Sequence, residues 1–229
     1  MSGANDLMTG FDTRAIHAGQ HFDPTTGAVI TPIYATSTYA QEAPGVHKGF
    51  DYGRSHNPTR FAYERAAAAL EEGDAGFAFS SGMAAMGTIL ELLDAGSHIV
   101  AIDDVYGGSY RLLERVRKRS AGLTITYVDL TNPANLKAAI RPETRMVWLE
   151  TPTNPLLKLA DIAAIAEEAH RHKLLVVVDN TFASPWTQRP LTLGADVVMH
   201  SATKYMNGHS DMIGGLAVTN KKEIGRAHV

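Results

Sequence analysis

Two polar residues at the ends of apolar segments suggest the chemistry of this chain. Lys204 follows the apolar run 197–199, and Asp179 directly follows the apolar run 174–178. A lysine amine can form a Schiff base with an aldehyde, and a carboxylate can keep a pyridine nitrogen protonated. Burial would favour the neutral, nucleophilic form of the amine. We therefore predict that pyridoxal 5'-phosphate binds here, with Lys204 and Asp179 as catalytic residues; the ordinary alternatives are a surface lysine and a strand-end cap.

A second group of residues has the properties of a phosphate site. Ser201 and Thr203 lie just before Lys204 and carry hydroxyl groups that can form hydrogen bonds with a phosphate. Ser81, Gly82 and Met83 lie between a predicted strand and a predicted helix, where free backbone N–H groups attract anions. A Ser-Gly pair before a helix is also an ordinary N-cap, so this signal is weak by itself.

Three further polar residues are predicted to line the same cofactor site. Tyr106 could stack on the pyridine ring and move protons, or it could be a core residue. Asn154 lies in a rigid turn with two prolines and could reach the ring hydroxyl, or it could only hold the turn. Thr181 places a hydroxyl two residues after Asp179.

The hydrophobic pattern predicts an α/β fold. Seven short apolar strands, mostly separated by helices, are predicted at 76–79, 97–102, 123–128, 145–150, 174–178, 197–199 and 215–218. This alternation indicates a mostly parallel sheet with helices on both faces. Ligands of such sheets bind beyond the carboxyl ends of the strands. The chemically useful residues fall at those ends: Ser81, Tyr106, Asn154, Asp179 and Lys204.

The first 57 residues are predicted to form an extended arm, because they show little helical periodicity and contain turn residues such as Pro44-Gly45. Such a segment buries little of its own surface, so we expect it to lie on another surface, such as that of a second subunit. Asn57 and Pro58 then have the residue types of an N-cap and a first helical turn. The domain assignment is an arm at 1–57 and a large domain at 58–229.

Composition excludes several classes of protein. The 229 residues are 45% hydrophobic and carry a net charge of -3, which gives no reason to expect a nucleic-acid partner. The chain has no cysteine and no apolar run long enough to span a membrane, so we expect a cytoplasmic protein. His170 and His172 are two apart on a predicted helix and face different directions, so no metal site is predicted.

Six segments in order resemble the Cys/Met-metabolism family of pyridoxal-phosphate enzymes, which includes cystathionine lyases and synthases. The segments are 52–60, 80–83, 106–108, 150–155, 178–182 and 200–205, and the resemblance runs from about Thr13 to about Lys222. It implies the aspartate-aminotransferase-like fold, known as fold type I. It also implies that Lys204 carries the cofactor, that Asp179 pairs with the ring nitrogen and that Tyr106 stacks on the ring.

The resemblance further implies an active site shared between two chains. Tyr52 and Arg54 match a motif that reaches the phosphate in the neighbouring subunit, and members are commonly tetramers built from two dimers. Asp51 matches an acidic residue that contacts the distal amino group of the substrate in cystathionine γ-enzymes, although it could merely be solvated. The segment 57–65 most resembles bacterial cystathionine γ-lyases, so we expect a cystathionine γ-lyase that acts on an amino-acid substrate, with cystathionine γ-synthase as the alternative.

Members of the family continue into a smaller C-terminal domain with an arginine that binds the substrate carboxylate. No segment here matches that domain, so we expect it to be missing and turnover to be poor. A truncated domain that only binds cofactor or dimerises is therefore a second hypothesis. A nicotinamide-binding domain is a weak third, because no G-x-G-x-x-G follows the first strand.

Overall fold

One seven-stranded sheet organises the computed structural model of this chain, which describes residues 10–220. The strands are β1 Ala75–Phe79, β2 His98–Ile102, β3 Thr124–Val128, β4 Thr144–Glu150, β5 Leu175–Asp179, β6 Val197–Ser201 and β7 Gly215–Thr219. Their order across the sheet is β1-β7-β6-β5-β4-β2-β3. All seven predicted strands are confirmed, with ends that differ by one or two residues.

Most of the sheet is parallel, as predicted. Strands β3, β2, β4, β5 and β6 run parallel, whereas β7 pairs antiparallel with both β6 and β1. Every residue of β2 and β7 is buried, and so are most residues of β4, β5 and β6. Continuous apolar runs of this kind are typical of strands covered on both faces.

Helices cover both faces of this sheet. They are α1 Phe11–His17, α2 Pro58–Glu71, α3 Gly82–Ile89, α4 Gly107–Arg111, α5 Lys118–Ser120, α6 Ala134–Ala139, α7 Ile162–Arg171 and α8 Ser184–Thr187. His200 of β6 contacts Glu71 of α2, whereas the next residue, Ser201, lies against Gly82 of α3. Because successive side chains of a strand point to opposite faces, α2 and α3 lie on opposite sides. No helix within residues 10–220 has the length and hydrophobicity to cross a bilayer.

The helical region at 107–120 is not one continuous α-helix, because the π-helical segment Leu112–Arg117 separates α4 from α5. Such segments insert one extra residue into a helical turn and are frequent at functional sites. Here the segment follows α4, whose N-cap residue is Tyr106. The sequence gives no signal for it, since a π turn and an α turn use the same residue types.

The arm region is less irregular than predicted. Helix α1 packs on the end of α2 through Arg14, which donates to the carbonyl of Ala69 at 3.3 Å and to Glu72 at 3.1 Å. The first part of the region therefore contacts its own chain. Further along, Arg60 of α2 donates to the carbonyls of three arm residues at 2.7–3.3 Å, those of Gly53, Arg54 and Ser55.

The start of α2 provides a test of the arm's attachment. The side-chain oxygen of Asn57 accepts the N–H groups of Thr59 and Arg60, and its amide donates to the carbonyl of Tyr34 at 3.0 Å. We expect Asn57→Ala to lower the free energy of unfolding by about 1–2 kcal/mol, because both the cap and the arm contact are lost. Asn57→Asp keeps the capping oxygen and should lose less than half as much in urea denaturation. Equal losses in the two variants would contradict the cap.

Candidate active site at the carboxyl ends of the strands

A cavity of about 1070 Å³ lies at the carboxyl ends of the central strands. It brings together ten of the residues predicted to form the site, which come from five separate parts of the chain. The ten are Ser81, Gly82, Met83, Tyr106, Asn154, Asp179, Thr181, Ser201, Thr203 and Lys204. The predicted convergence on one edge of the sheet is therefore what the structure contains.

Asp179 forms part of the cavity floor and is only 6% exposed. One of its oxygens accepts the N–H of Thr181 at 3.1 Å and the Thr181 hydroxyl at 2.5 Å. Burial raises the pKa of this carboxyl, while the Thr181 hydrogen bonds and the nearby His200 oppose that rise. The Thr181 hydroxyl also accepts the N–H of Ser201 at 2.8 Å, so it ties the ends of β5 and β6 together.

Glu150, at the end of β4, is a cavity residue to which the sequence reasoning assigned no role. It is 5% exposed and is the direct register partner of Asp179 on the neighbouring strand. Burial, followed by the charge of Asp179, raises its pKa to about 8. The available signal was the one that identified Asp179, an acidic residue directly after a run of apolar strand residues.

The start of α3 faces the same cavity. The Ser81 side chain caps the helix by accepting the N–H of Ala84 at 3.0 Å. The N–H groups of Gly82 and Met83 belong to the first helical turn, which has no intrahelical acceptors for them. Gly82 lies so close to β6 that a Cβ atom built there would be 2.7 Å from the Cβ of Ser201. The helix start can therefore meet this strand only through glycine.

Lys204 lines the cavity but is exposed, which corrects the expectation that burial activates its amine. The residue lies in the turn after β6, outside the hydrophobic core. Its neighbour Thr203 exchanges hydrogen bonds with the backbone of Gly214, at 3.3 Å to the carbonyl and 3.2 Å from the N–H. The residue before the lysine is thereby held against the start of β7.

Tyr106 and Asn154 enter the cavity from two loops that Glu150 joins. The N–H of Tyr106 donates to Glu150 at 2.8 Å, and the N–H of Asn154 donates to the other oxygen of the same carboxyl at 2.9 Å. The Tyr106 ring is 45% exposed and lies over Gly108, where a Cβ atom would be 2.4 Å from the ring. The ring is therefore free for contact on its cavity side.

Asp51, Tyr52 and Arg54 do not line this cavity. They lie on the arm, where the guanidinium of Arg54 is 5.1 Å from the centre of the Tyr52 ring. The Asp51 carboxylate accepts the N–H of Tyr52 at 2.7 Å and lies 3.1 Å from His56, and that hydrogen bond to His56 lowers the pKa of Asp51. Within one chain, the arm residues and the cavity are separate.

The donor set of the cavity suits a phosphorylated pyridine aldehyde. An amine and a buried carboxylate line the same space, with the free N–H groups of a helix start and two hydroxyl residues beside it. Two buried acids also lie side by side, and Lys204 is the one lysine or arginine among the lining residues described. A pyridinium nitrogen would supply a cation beside them. Within residues 10–220 no group of three or more acidic or histidine side chains could hold a metal ion.

Substitution of Gly82 tests the close approach of α3 to β6. We expect Gly82→Ala to lower the free energy of unfolding by about 1–3 kcal/mol, because the new methyl group overlaps Ser201. Gly87→Ala in the same helix is the matched control, since its nearest foreign atom lies 3.8 Å away. That change should raise the free energy of unfolding by about 0.5–1 kcal/mol through helix propensity. The same sign for both variants would contradict the crowding.

The pH dependence of stability tests the environment of Glu150. Its pKa rises from an ordinary 4.5 to about 8 on folding, so the folded state binds more protons than the unfolded state between these values. Stability from this group is therefore complete at low pH and falls as pH rises, by at most about 1.4 kcal/mol per pH unit. In urea titrations from pH 5 to 8, Glu150→Gln should gain stability relative to wild type. The exposed control Glu143→Gln should show a flat difference.

Comparisons with known proteins agree with this geometry. The family model described as "Cys/Met metabolism PLP-dependent enzyme" matches residues 12–228 of this chain. A Coxiella burnetii protein named cystathionine beta-lyase is 61% identical over 218 residues, which are 95% of this chain and 56% of that protein. Cystathionine gamma-lyase of Bacillus subtilis is 51% identical over 93% of this chain and 56% of its own length. Cystathionine gamma-synthase of Mycobacterium leprae is 51% identical over 96% and 57%.

Solved structures give the same result for the fold. The structure of metB from Corynebacterium glutamicum superimposes with a TM-score of 0.93 at 49% identity, over 95% of this chain and 57% of that one. Cystathionine gamma-lyase from Lactobacillus plantarum, complexed with L-serine, gives 0.91 at 52% identity, over 94% and 56%. The chain thus spans a little over half the length of these relatives, and its fold is the predicted fold type I. Matched over nearly its whole length, the chain belongs to the Cys/Met metabolism family of PLP-dependent enzymes.

Proposed function

We propose that this protein is a trans-sulfuration enzyme of the cystathionine γ-lyase type. It would convert cystathionine and water to cysteine, 2-oxobutyrate and ammonia by α,γ-elimination. The observation that carries the proposal is that an exposed amine, Lys204, and a buried carboxylate, Asp179, line one cavity beside a helix start. Membership of a family that uses pyridoxal phosphate supports the assignment of this cavity to the cofactor.

Each part of the cofactor has a candidate partner in this chain. Lys204 would hold the aldehyde carbon, and Asp179, fixed by Thr181, would keep the ring nitrogen protonated. Asn154 would contact the ring hydroxyl. The phosphate would take the N–H groups of Gly82 and Met83, with hydrogen bonds from Ser81, Ser201 and Thr203. When bound, pyridoxal phosphate withdraws electrons from the α-carbon of the substrate and so acidifies its proton.

The same residues would move the protons of the reaction. Lys204 would take the α-proton at Nζ after the amine of the substrate has displaced it. Its exposed position in the turn after β6 would let the same amine move a proton at the β-carbon as well. Tyr106, whose ring lies over Gly108 and lines the cavity, would stack on the cofactor ring and assist with its hydroxyl.

The arm would complete the site of a second copy. Tyr52 and Arg54 lie outside the cavity of their own chain, and a guanidinium is a strong ligand of phosphate. We therefore propose a homo-oligomer, a dimer of dimers, in which the arm at 1–57 supplies these residues to a neighbouring large domain at 58–229. Asp51 would then meet the distal amino group of the substrate. Its hydrogen bond with His56 lowers the pKa of that carboxyl and so favours the charged form for that contact.

Two other activities are favoured by the names of relatives. The Coxiella burnetii relative is named a β-lyase and the Mycobacterium leprae relative a γ-synthase, at 61% and 51% identity. A β-lyase would release homocysteine, pyruvate and ammonia from cystathionine. A γ-synthase would join cysteine to the γ-carbon of an activated homoserine ester. The acidic Asp51 favours the two γ-enzymes over the β-lyase, and the segment 57–65, which most resembles bacterial γ-lyases, favours the γ-lyase.

Absorption spectroscopy tests the cofactor linkage on this chain. Wild type with pyridoxal phosphate should show a visible band, and borohydride reduction should attach the cofactor to the peptide that contains Lys204. Lys204→Ala should lose both signals, because no other amine lines the cavity among the residues described. Lys173→Ala, an exposed lysine after α7, is the control and should keep both. Labelling of another position would overturn the assignment.

Product analysis tests the reaction type. Cystathionine should yield 2-oxobutyrate and cysteine, detected as the keto-acid hydrazone and the free thiol. Pyruvate with homocysteine would identify a β-lyase, and cystathionine formed from an activated homoserine ester with cysteine would identify a γ-synthase. A cofactor-bound chain without turnover on either substrate would favour the second hypothesis, a binding domain. Asp51→Ala should raise KM for cystathionine more than it lowers kcat.

A further inference from the structure

One buried side chain connects the two loops that carry Tyr106 and Asn154. The carboxyl of Glu150 lies between them, and each of its oxygens accepts one backbone N–H, at 2.8 Å from Tyr106 and 2.9 Å from Asn154. Hydrogen bonds from backbone to carboxylate are among the stronger ones in proteins, and burial reduces competition from water. The distance between the two loops is therefore set by the length of one side chain.

The loops are also joined away from the cavity. Asp104 accepts the hydroxyl of Thr153 at 2.5 Å and the N–H of Leu156 at 2.9 Å, and Lys158 pairs with Asp103 at 2.8 Å. These contacts hold the outer parts of the loops together, and neither Asp103 nor Asp104 lines the cavity. The two loops would therefore stay attached to each other without the carboxyl of Glu150 inside the cavity. Glu150 is the connection that lies next to the reacting groups.

The position of Glu150 also adds charge where it is costly. It ends β4 directly beside Asp179 at the end of β5, and both are more than nine-tenths buried. A structural cap could be provided by a neutral amide or hydroxyl at lower electrostatic cost. A second carboxylate in this place is useful if a positive group binds over the two acids.

We propose that Glu150 is a positioning residue for the cofactor. It holds the backbones of Tyr106 and Asn154 at the spacing that the bound ring requires. A positive group bound over the two acids favours the ionised form of Glu150, and that charge assists Asp179 in keeping the ring and the lysine linkage protonated. This role rests on the proposed function, because it assumes that pyridoxal phosphate binds at Lys204 between these two loops.

Two substitutions separate reach from charge. Glu150→Gln keeps the length of the side chain but removes the charge and one acceptor. Glu150→Asp keeps the charge but is one methylene shorter, so it cannot reach both loops. Glu143→Gln makes the same charge change in an exposed residue just before the other end of β4 and is the control. The measurements are the Kd of pyridoxal 5'-phosphate by equilibrium dialysis of the holoprotein, and the pH at which the visible band loses half its intensity.

We expect Glu150→Asp to raise Kd at least tenfold with a near wild-type pH midpoint. Glu150→Gln should lower the midpoint by at least one pH unit, and the control should change neither quantity. Packing alone would not move the midpoint of the band. Wild-type Kd and midpoint in both variants would overturn the proposal and leave the cofactor assignment intact, whereas a wild type without the visible band overturns both. If Glu150→Gln does not fold, an unchanged Kd in Glu150→Asp suffices to refute the positioning role.

Discussion

Parallel pairing of β4, β5 and β6 is the constraint on which the site depends. It brings the carboxyl ends of three strands to one edge, so that Glu150, Asp179 and Ser201 lie around one space although they are far apart in sequence. The register of β4 against β5 makes the two acids direct neighbours. A one-residue slip would turn the polar ends of the strands toward the opposite face. The arrangement of the cavity residues therefore depends on the correct pairing of these strands.

The opposite face of the sheet supports the same edge through a buried polar network. Glu71 of α2 accepts the amide of Asn180 at 2.9 Å and lies 2.5 Å from Nε2 of His200. Asn180 and His200 directly adjoin the cavity residues Asp179 and Ser201 in sequence. Gln188 adds a hydrogen bond at 2.8 Å to the side-chain oxygen of Asn180. At the ends of β5 and β6, one residue therefore faces the cavity and its neighbour in sequence contacts Glu71 behind the sheet.

The sequence was sufficient for the sheet and for most of the site, for physical reasons. Apolar runs that end in Asp179 or Ser201 indicate buried strands, and parallel topology then brings their ends together. The antiparallel direction of β7 could not be predicted from the sequence, because its residues would suit a parallel or an antiparallel strand equally well. The exposure of Lys204 was also missed, since its neighbours suggested a buried setting. Glu150 was overlooked because a glutamate at a strand end usually lies in water, and only the register with Asp179 shows that it does not.

The antiparallel strand β7 has a consequence for how the chain is assembled during synthesis. This strand lies between β1, near residue 75, and β6, near residue 200. Strand β1 can therefore join the sheet only after β7 has been synthesised, more than a hundred residues later. The central strands can pair progressively as the ribosome releases them, whereas β1 and helix α2 wait for residues 215–219. Contacts of such sequence separation form slowly. Until then the apolar surface that β7 covers in the folded chain stays exposed.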